Sequence, residues 1–122
     1  MNLVKTVPEF VVKPSPKNKH NFQALDYALE SGKTYVLEIE KVEVLEGKTE
    51  GLSIALYDPA TKTAVMRDLF DIQLVNTQGG IRWMFKVPLK GQNQLIIYSG
   101  IAAAAQNISV KCTNVRLTEC IE

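Results

Sequence analysis

Apolar side chains recur at every second position along nearly the whole chain. That is the period of strands with one face in a core. Turn residues interrupt the pattern about every ten positions, a spacing typical of sandwiches and barrels. A first strand is expected from Glu9 to Lys13, ended by Pro14-Ser15-Pro16. A second is expected from about Asn21 to Leu29, with a short helix as the alternative. A long third strand runs Thr34 to Leu45: Tyr35, Leu37 and Ile39 share one parity, Val42 and Val44 the other. A change of face inside one strand is what a bulge produces, so one is expected near Lys41.

The fourth strand is Leu52 to Asp58, followed by the Asp58-Pro59-Ala60-Thr61 turn. The fifth is about Ala64 to Val75, with Met66, Phe70, Ile72 and Leu74 in phase and Asp68 the exception. The sixth is Ile81 to Val87, in which Trp83 shares the core parity of Ile81, Phe85 and Val87. A buried Trp83 would need a partner for its indole N–H. The seventh runs Gln94 to Ser99 and the eighth Asn107 to about Thr118, with an irregularity expected near Thr113-Asn114. The four alanines of Ile101 to Gln106 favour helix, but the stretch is too short to be stable and reads as a loop with a helical turn. Residues 1–122 therefore form a single all-β domain, a two-sheet antiparallel β-sandwich of about eight strands, with 1–20 partly loop-like.

Composition narrows the function classes. The chain has 122 residues, 46% hydrophobic and 22% charged, which suits one folded domain. A net charge of +1 points away from nucleic acid and anionic membranes as partners. No apolar run approaches the roughly 20 residues of a membrane-spanning helix. The first residues, Met1 to Lys5, lack the apolar core of a signal peptide. The expectation is a cytoplasmic chain or a part of a larger assembly. Cys112 and Cys120, on one extended strand, would sit about 26 Å apart at roughly 3.3 Å per residue. A disulfide needs Cα atoms within about 7 Å, so two free thiols are expected.

Four segments carry a resemblance: Ser31-Gly32-Lys33-Thr34-Tyr35, Gly80 to Phe85, Leu95 to Gly100, and Asn114 to Glu119. Over roughly Phe22 to Glu119 the chain resembles the jelly-roll carbohydrate-binding-module and galactose-binding-like superfamily. The resemblance implies a jelly roll with strands one, eight, three and six in one sheet and two, seven, four and five in the other. It implies glycan binding on a sheet face or at loop tips, or protein contacts. Accessory domains of surface-glycan enzymes and phage tail proteins look like this. One departure is that many sugar-binding members display an exposed Trp, whereas Trp83 here has core parity.

That strand order decides which side chains face out. On the first sheet they are Glu38, Glu40, Arg82, Met84, Lys86, Ser109 and Lys111, read as a cross-strand charge ladder. On the second they are Ser53, Tyr57, Arg67, Asp71, Gln73, Gln94, Ile96 and Tyr98. Tyr57 and Tyr98 would lie on neighbouring strands. They could stack on a sugar while Arg67, Asp71, Gln73 and Gln94 hydrogen-bond it. The same face could instead pack on another chain, making the domain an assembly module or a homo-oligomer.

Catalytic signals are absent. His20 is the only histidine and sits beside a Pro-rich stretch, and there is no Gly-x-Ser-x-Gly, P-loop or Cys-x-x-Cys motif. No enzyme and no cofactor are expected. The resemblance allows a structural calcium, for which Asp58, Asp68, Asp71 and Glu119 are the available acids, but no EF-hand-like loop is present. Asn107-Ile108-Ser109 is a formal glycosylation sequon, common by chance.

Overall fold

The computed structural model of the chain describes residues 2–13, 22–99 and 108–120. The Pro14-Ser15-Pro16 turn, His20, Asn107 and the alanine-rich stretch lie outside them. Among the described residues, eight strands and one short helix follow in the order β1 (Asn2–Val12), β2 (Phe22–Ala24), β3 (Thr34–Glu46), β4 (Gly51–Asp58), β5 (Thr63–Asp71), α1 (Ile72–Gln78), β6 (Ile81–Lys86), β7 (Gln94–Tyr98) and β8 (Ser109–Cys120). They form two antiparallel four-stranded sheets, β1-β8-β3-β6 and β2-β7-β4-β5. This is the jelly-roll pairing expected from the resemblance, and the fold is an all-β sandwich.

The alternation works as read. Tyr35, Leu37 and Ile39 of β3, Leu52, Ile54 and Leu56 of β4, Ile81, Trp83 and Phe85 of β6, and Leu95 and Ile97 of β7 meet in one core between the sheets. The face change expected in β3 occurs between Ile39 and Val42, and β8 changes face at the same level, between Val115 and Cys112. The ladder keeps its register across this point, with Ile39 opposite Val115 and Lys41 opposite Thr113. Both strands therefore carry an additional residue there, Glu40 facing Asn114. Asn114 takes a left-handed φ of 50°, which Asn tolerates better than most residues. Its side-chain amide donates to the Glu40 carboxylate.

Two boundaries differ from expectation. β1 begins at Asn2 rather than Glu9, so the N-terminal segment is strand up to Val12. Pro8 looks like a breaker, but β1 is an edge strand, where a missing N–H is tolerated. β2 is three residues long, and its expected C-terminal half is irregular.

The larger correction is α1. The fifth strand ends at Asp71 instead of continuing to Val75. The Asp71 side chain accepts from the Leu74 N–H at 2.9 Å, and Gly79 closes the helix in the left-handed conformation. These are ordinary start and stop signals. They were masked because Phe70, Ile72 and Leu74 continue the strand alternation. In the helix Ile72 and Val75, three apart, are the buried pair, and Leu74 is exposed.

α1 finishes a sheet edge. β6 pairs with β3 only as far as Ile39 opposite Ile81. Beyond that point Asn76 replaces the missing strand. Its Oδ1 accepts from the Val42 N–H at 3.0 Å, and its Nδ2 donates to the Val42 carbonyl at 2.8 Å.

Both cysteines are free, Cys112 buried and Cys120 partly exposed. Burial pushes the Cys112 thiol up to about 12, so at pH 8 it is protonated and enclosed. A thiol reagent at pH 8 should label one equivalent, Cys120, in the native protein and a second only after unfolding. Fast labelling of two equivalents would contradict this packing of β8.

Candidate functional site

The outer face of the β2-β7-β4-β5 sheet holds most of the residues singled out from the sequence. Tyr57 of β4 stands opposite Gln94 of β7, and Ala55 opposite Arg67 of β5. Tyr98 shares their face, opposite Ser53. Phe22 of β2 joins both tyrosines, its ring centroid 5.7 Å from each. Ala55, Ile96 and Tyr98 form a second buried apolar cluster here, with Phe22, Ala24 and Tyr57 packed on it.

That packing changes the site expected from the sequence. Tyr98 is only 7% exposed, so its ring is not an open platform for a sugar. Burial also raises its pKa, with the nearby Arg67 guanidinium acting in the opposite direction. Phe22 fell within the expected second strand with no role assigned to it, yet it completes the aromatic cluster. Asp71 and Gln73 do not join the group. Asp71 sits at the far end of β5 as the cap of α1, and Gln73 lies on the helix itself. Tyr57, Arg67 and Gln94 are thus brought together around Tyr98, while Asp71 and Gln73 are not.

The acids weighed for calcium have separate roles. The Asp58 carboxylate accepts from the Ala60 N–H in its turn, and Asp68 accepts from the Trp83 indole at 2.6 Å. Asp71 caps α1, and Glu119 pairs with Lys33 at 2.7 Å. Hydrogen bonds from Lys33 to Glu119 and Glu30 raise the lysine's pKa.

On the other sheet the charge ladder is present, displaced by the face change. Arg116 pairs with Glu38 at 3.9 Å, and Lys111 with Glu43 at 3.8 Å. Glu43 also meets Lys41 at 3.0 Å. The hydrogen bond from Lys41, with the charge of Lys111, holds the Glu43 carboxyl below its ordinary pKa. Ser109, expected to face out, is buried. Exposed pairs of this kind contribute little to stability. They fix which charges lie along the face.

The feature that sequence reading missed is the exposed edge of β5. Among the described residues β5 is the last strand of its sheet, paired on one side to β4 only. Eight of its nine residues are exposed and the ninth, Phe70, is half-buried. Val65 is 50% and Leu69 57% exposed, and Met66 lies beside them. An edge of unpaired backbone N–H and C=O groups is a template for another strand. The other edges carry guards against this: β2 is three residues long, β1 contains Lys5 and Pro8, and β6 contains Arg82 and Lys86. β5 has neither proline nor lysine, and its charged residues are Arg67, Asp68 and Asp71. A register shift near its start leaves Met66 to Asp71 in regular pairing with β4. The signal was visible as apolar residues of both parities, Val65 and Leu69 against Met66 and Phe70. Its meaning depends on the strand being at an edge.

No protein-family model matches the chain, and no curated protein matches it. Among solved structures it is similar to a chain described under "Bacillus endospore appendages form a novel family of disulfide-linked pili", at 17% identity and a TM-score of 0.46, over 96% of this chain and 88% of that one. A likeness at that level leaves the function to be argued from this chain's own residues. The resemblance to the carbohydrate-binding and galactose-binding-like superfamily holds at the level of the two-sheet sandwich.

Proposed function

We propose that the domain is a non-catalytic assembly module that joins copies of itself through β5. The observation that carries this reading is the nine-residue edge strand, unpaired on one side among the described residues and exposing Val65, Met66 and Leu69. Edge pairing supplies main-chain hydrogen bonds, and the apolar side chains on both faces supply the buried area. A second copy is the partner because a net charge of +1 gives copies little mutual repulsion.

Light scattering over a concentration series tests it. The wild-type chain is expected to associate at tens of micromolar, and a Val65→Lys, Leu69→Lys variant to stay monomeric. Both positions are exposed, so the variant's melting temperature should change little. A wild-type chain that is monomeric throughout the series rejects self-assembly through this edge. The glycan reading rests on Tyr57, Arg67 and Gln94 sharing one face. Saturable binding on a glycan array, lost in Tyr57→Ala, would favour it instead.

A further inference from the structure

β5 keeps one register with β4, from Leu56 opposite Met66 to Gly51 opposite Asp71. The Ile72 N–H extends that register by donating to the Glu50 carbonyl at 2.9 Å. Hydrogen-bonded and non-hydrogen-bonded pairs alternate in an antiparallel ladder, so Phe70, Asp68 and Met66 bond to β4 as Ile72 does. Arg67, Leu69 and Asp71 therefore turn their N–H groups the other way, to the side left unpaired among the described residues. These three share the parity of the sheet's outer face, where Arg67 stands opposite Ala55, and all are exposed.

Two copies of one strand edge pair in antiparallel sense about a two-fold axis, which sets one residue opposite its own copy. A slip by one residue would instead put the outer face of one copy beside the inner face of the other. The irregularity near the start of β5 and the departure into α1 after Asp71 confine regular pairing to residues 66–71. Two centres keep a symmetric pairing inside that stretch, Asp68 over residues 66–70 and Leu69 over residues 67–71. Centring on Asp68 sets two like charges directly opposite each other, which is destabilising. Centring on Leu69 sets Leu69 against its own copy and Arg67 against Asp71, at both ends by symmetry.

We propose that β5 forms a closed two-fold dimer centred on Leu69, with each Arg67 guanidinium paired to the Asp71 carboxylate of the second copy. This rests on the self-association through β5 argued above and adds its register and stoichiometry. Asp71 caps α1 through Oδ1, and a carboxylate bonded through one oxygen can accept from a guanidinium through the other. Opposite charges at both ends of the pairing select the register more than they add affinity.

Charge reversal tests this in the full chain by sedimentation equilibrium. Arg67→Glu alone and Asp71→Lys alone each bring like charges together at both ends. Each should weaken dimerisation at least about tenfold. An equimolar mixture of the two variants restores opposite charges at both ends and should dimerise within about threefold of wild type. Asp71→Lys also removes the α1 cap, so a second measurement leaves Asp71 in place. In a Cys120→Ser background, Leu69→Cys should give a disulfide-linked dimer on mild oxidation. The Cα atoms of a hydrogen-bonded antiparallel pair stand about 5.5 Å apart, inside the disulfide range. Arg67→Cys should not link, because its own copy lies roughly 13 Å further along the second strand. A mixture of the folded variants that dimerises no better than either alone overturns the register. So does Leu69→Cys that fails to link, or Arg67→Cys that links as readily. Each of these outcomes leaves self-association through β5 standing, provided the wild-type chain associates. Wild-type species larger than a dimer overturn the closed arrangement, and a wild-type chain that stays monomeric overturns both readings.

Discussion

Gly80→Ala is expected to destabilise the protein by about 4 kcal/mol or more, the exceptional class of single-substitution effects. Two independent costs coincide at Gly80. Its φ of +126° is a conformation that side-chain-bearing residues rarely adopt. A Cβ there would also stand 2.3 Å from the Ile39 carbonyl oxygen and 3.0 Å from that of Glu40. Those atoms are backbone of β3, at the level where β3 and β8 change face together. Relief would require moving a central strand off its register. Gly79 is the internal control. Its φ is +89°, yet an added Cβ would meet nothing within 4 Å. Gly79→Ala should therefore cost only the left-handed backbone, about 1–2 kcal/mol. Urea unfolding of the two variants measures the difference. Equal losses would mean that the close approach to Ile39 contributes nothing.

The two glycines also mark what could and could not be read from the chain. Strict alternation, as in Tyr35-Leu37-Ile39 and Ile81-Trp83-Phe85, located the strands and their inner faces. Even the shared face change of β3 and β8 was visible as two breaks in parity. α1 was not, because its seven residues continue the alternation of β5. A helix this short has little stability alone. It exists because Ile72 and Val75 reach the core and Asn76 reaches Val42. Those contacts depend on where β3 passes, which no local window contains.

The candidate sites were legible to a lesser degree, for the same reason. Parity placed Tyr57, Arg67 and Gln94 on one face. It could not show that Phe22 and Ile96 would crowd Tyr98 out of solvent, since that depends on β2 returning beside β7. The open edge of β5 is a property of the completed sheet.

Trp83 carries the second large effect. Its indole is 6% exposed and packs against Phe85 with ring centroids 4.9 Å apart. Phe85 in turn stacks on Tyr35 at 5.8 Å. The indole N–H donates to Asp68 Oδ2 at 2.6 Å. Asp68 was the one residue of β5 that broke the apolar parity, and here it supplies the partner that a buried tryptophan requires. β6 and β5 belong to different sheets, so this bond ties the two layers together at their edges. Trp83→Ala should cost about 3–5 kcal/mol, since it removes the ring and leaves a cavity beside Phe85. Trp83→Phe keeps most of the packing and loses the bond, for about 1–2 kcal/mol. Asp68→Ala should cost about 1 kcal/mol or slightly more, because the carboxylate is exposed while the N–H it abandons is not. The double variant Trp83→Phe, Asp68→Ala decides whether the bond is responsible. Its cost should fall short of the sum of the single losses by about 1 kcal/mol, as expected for residues in direct contact. Strict additivity in the unfolding curves would show that Asp68 and Trp83 act independently, and the tie between the sheets would have to be sought elsewhere.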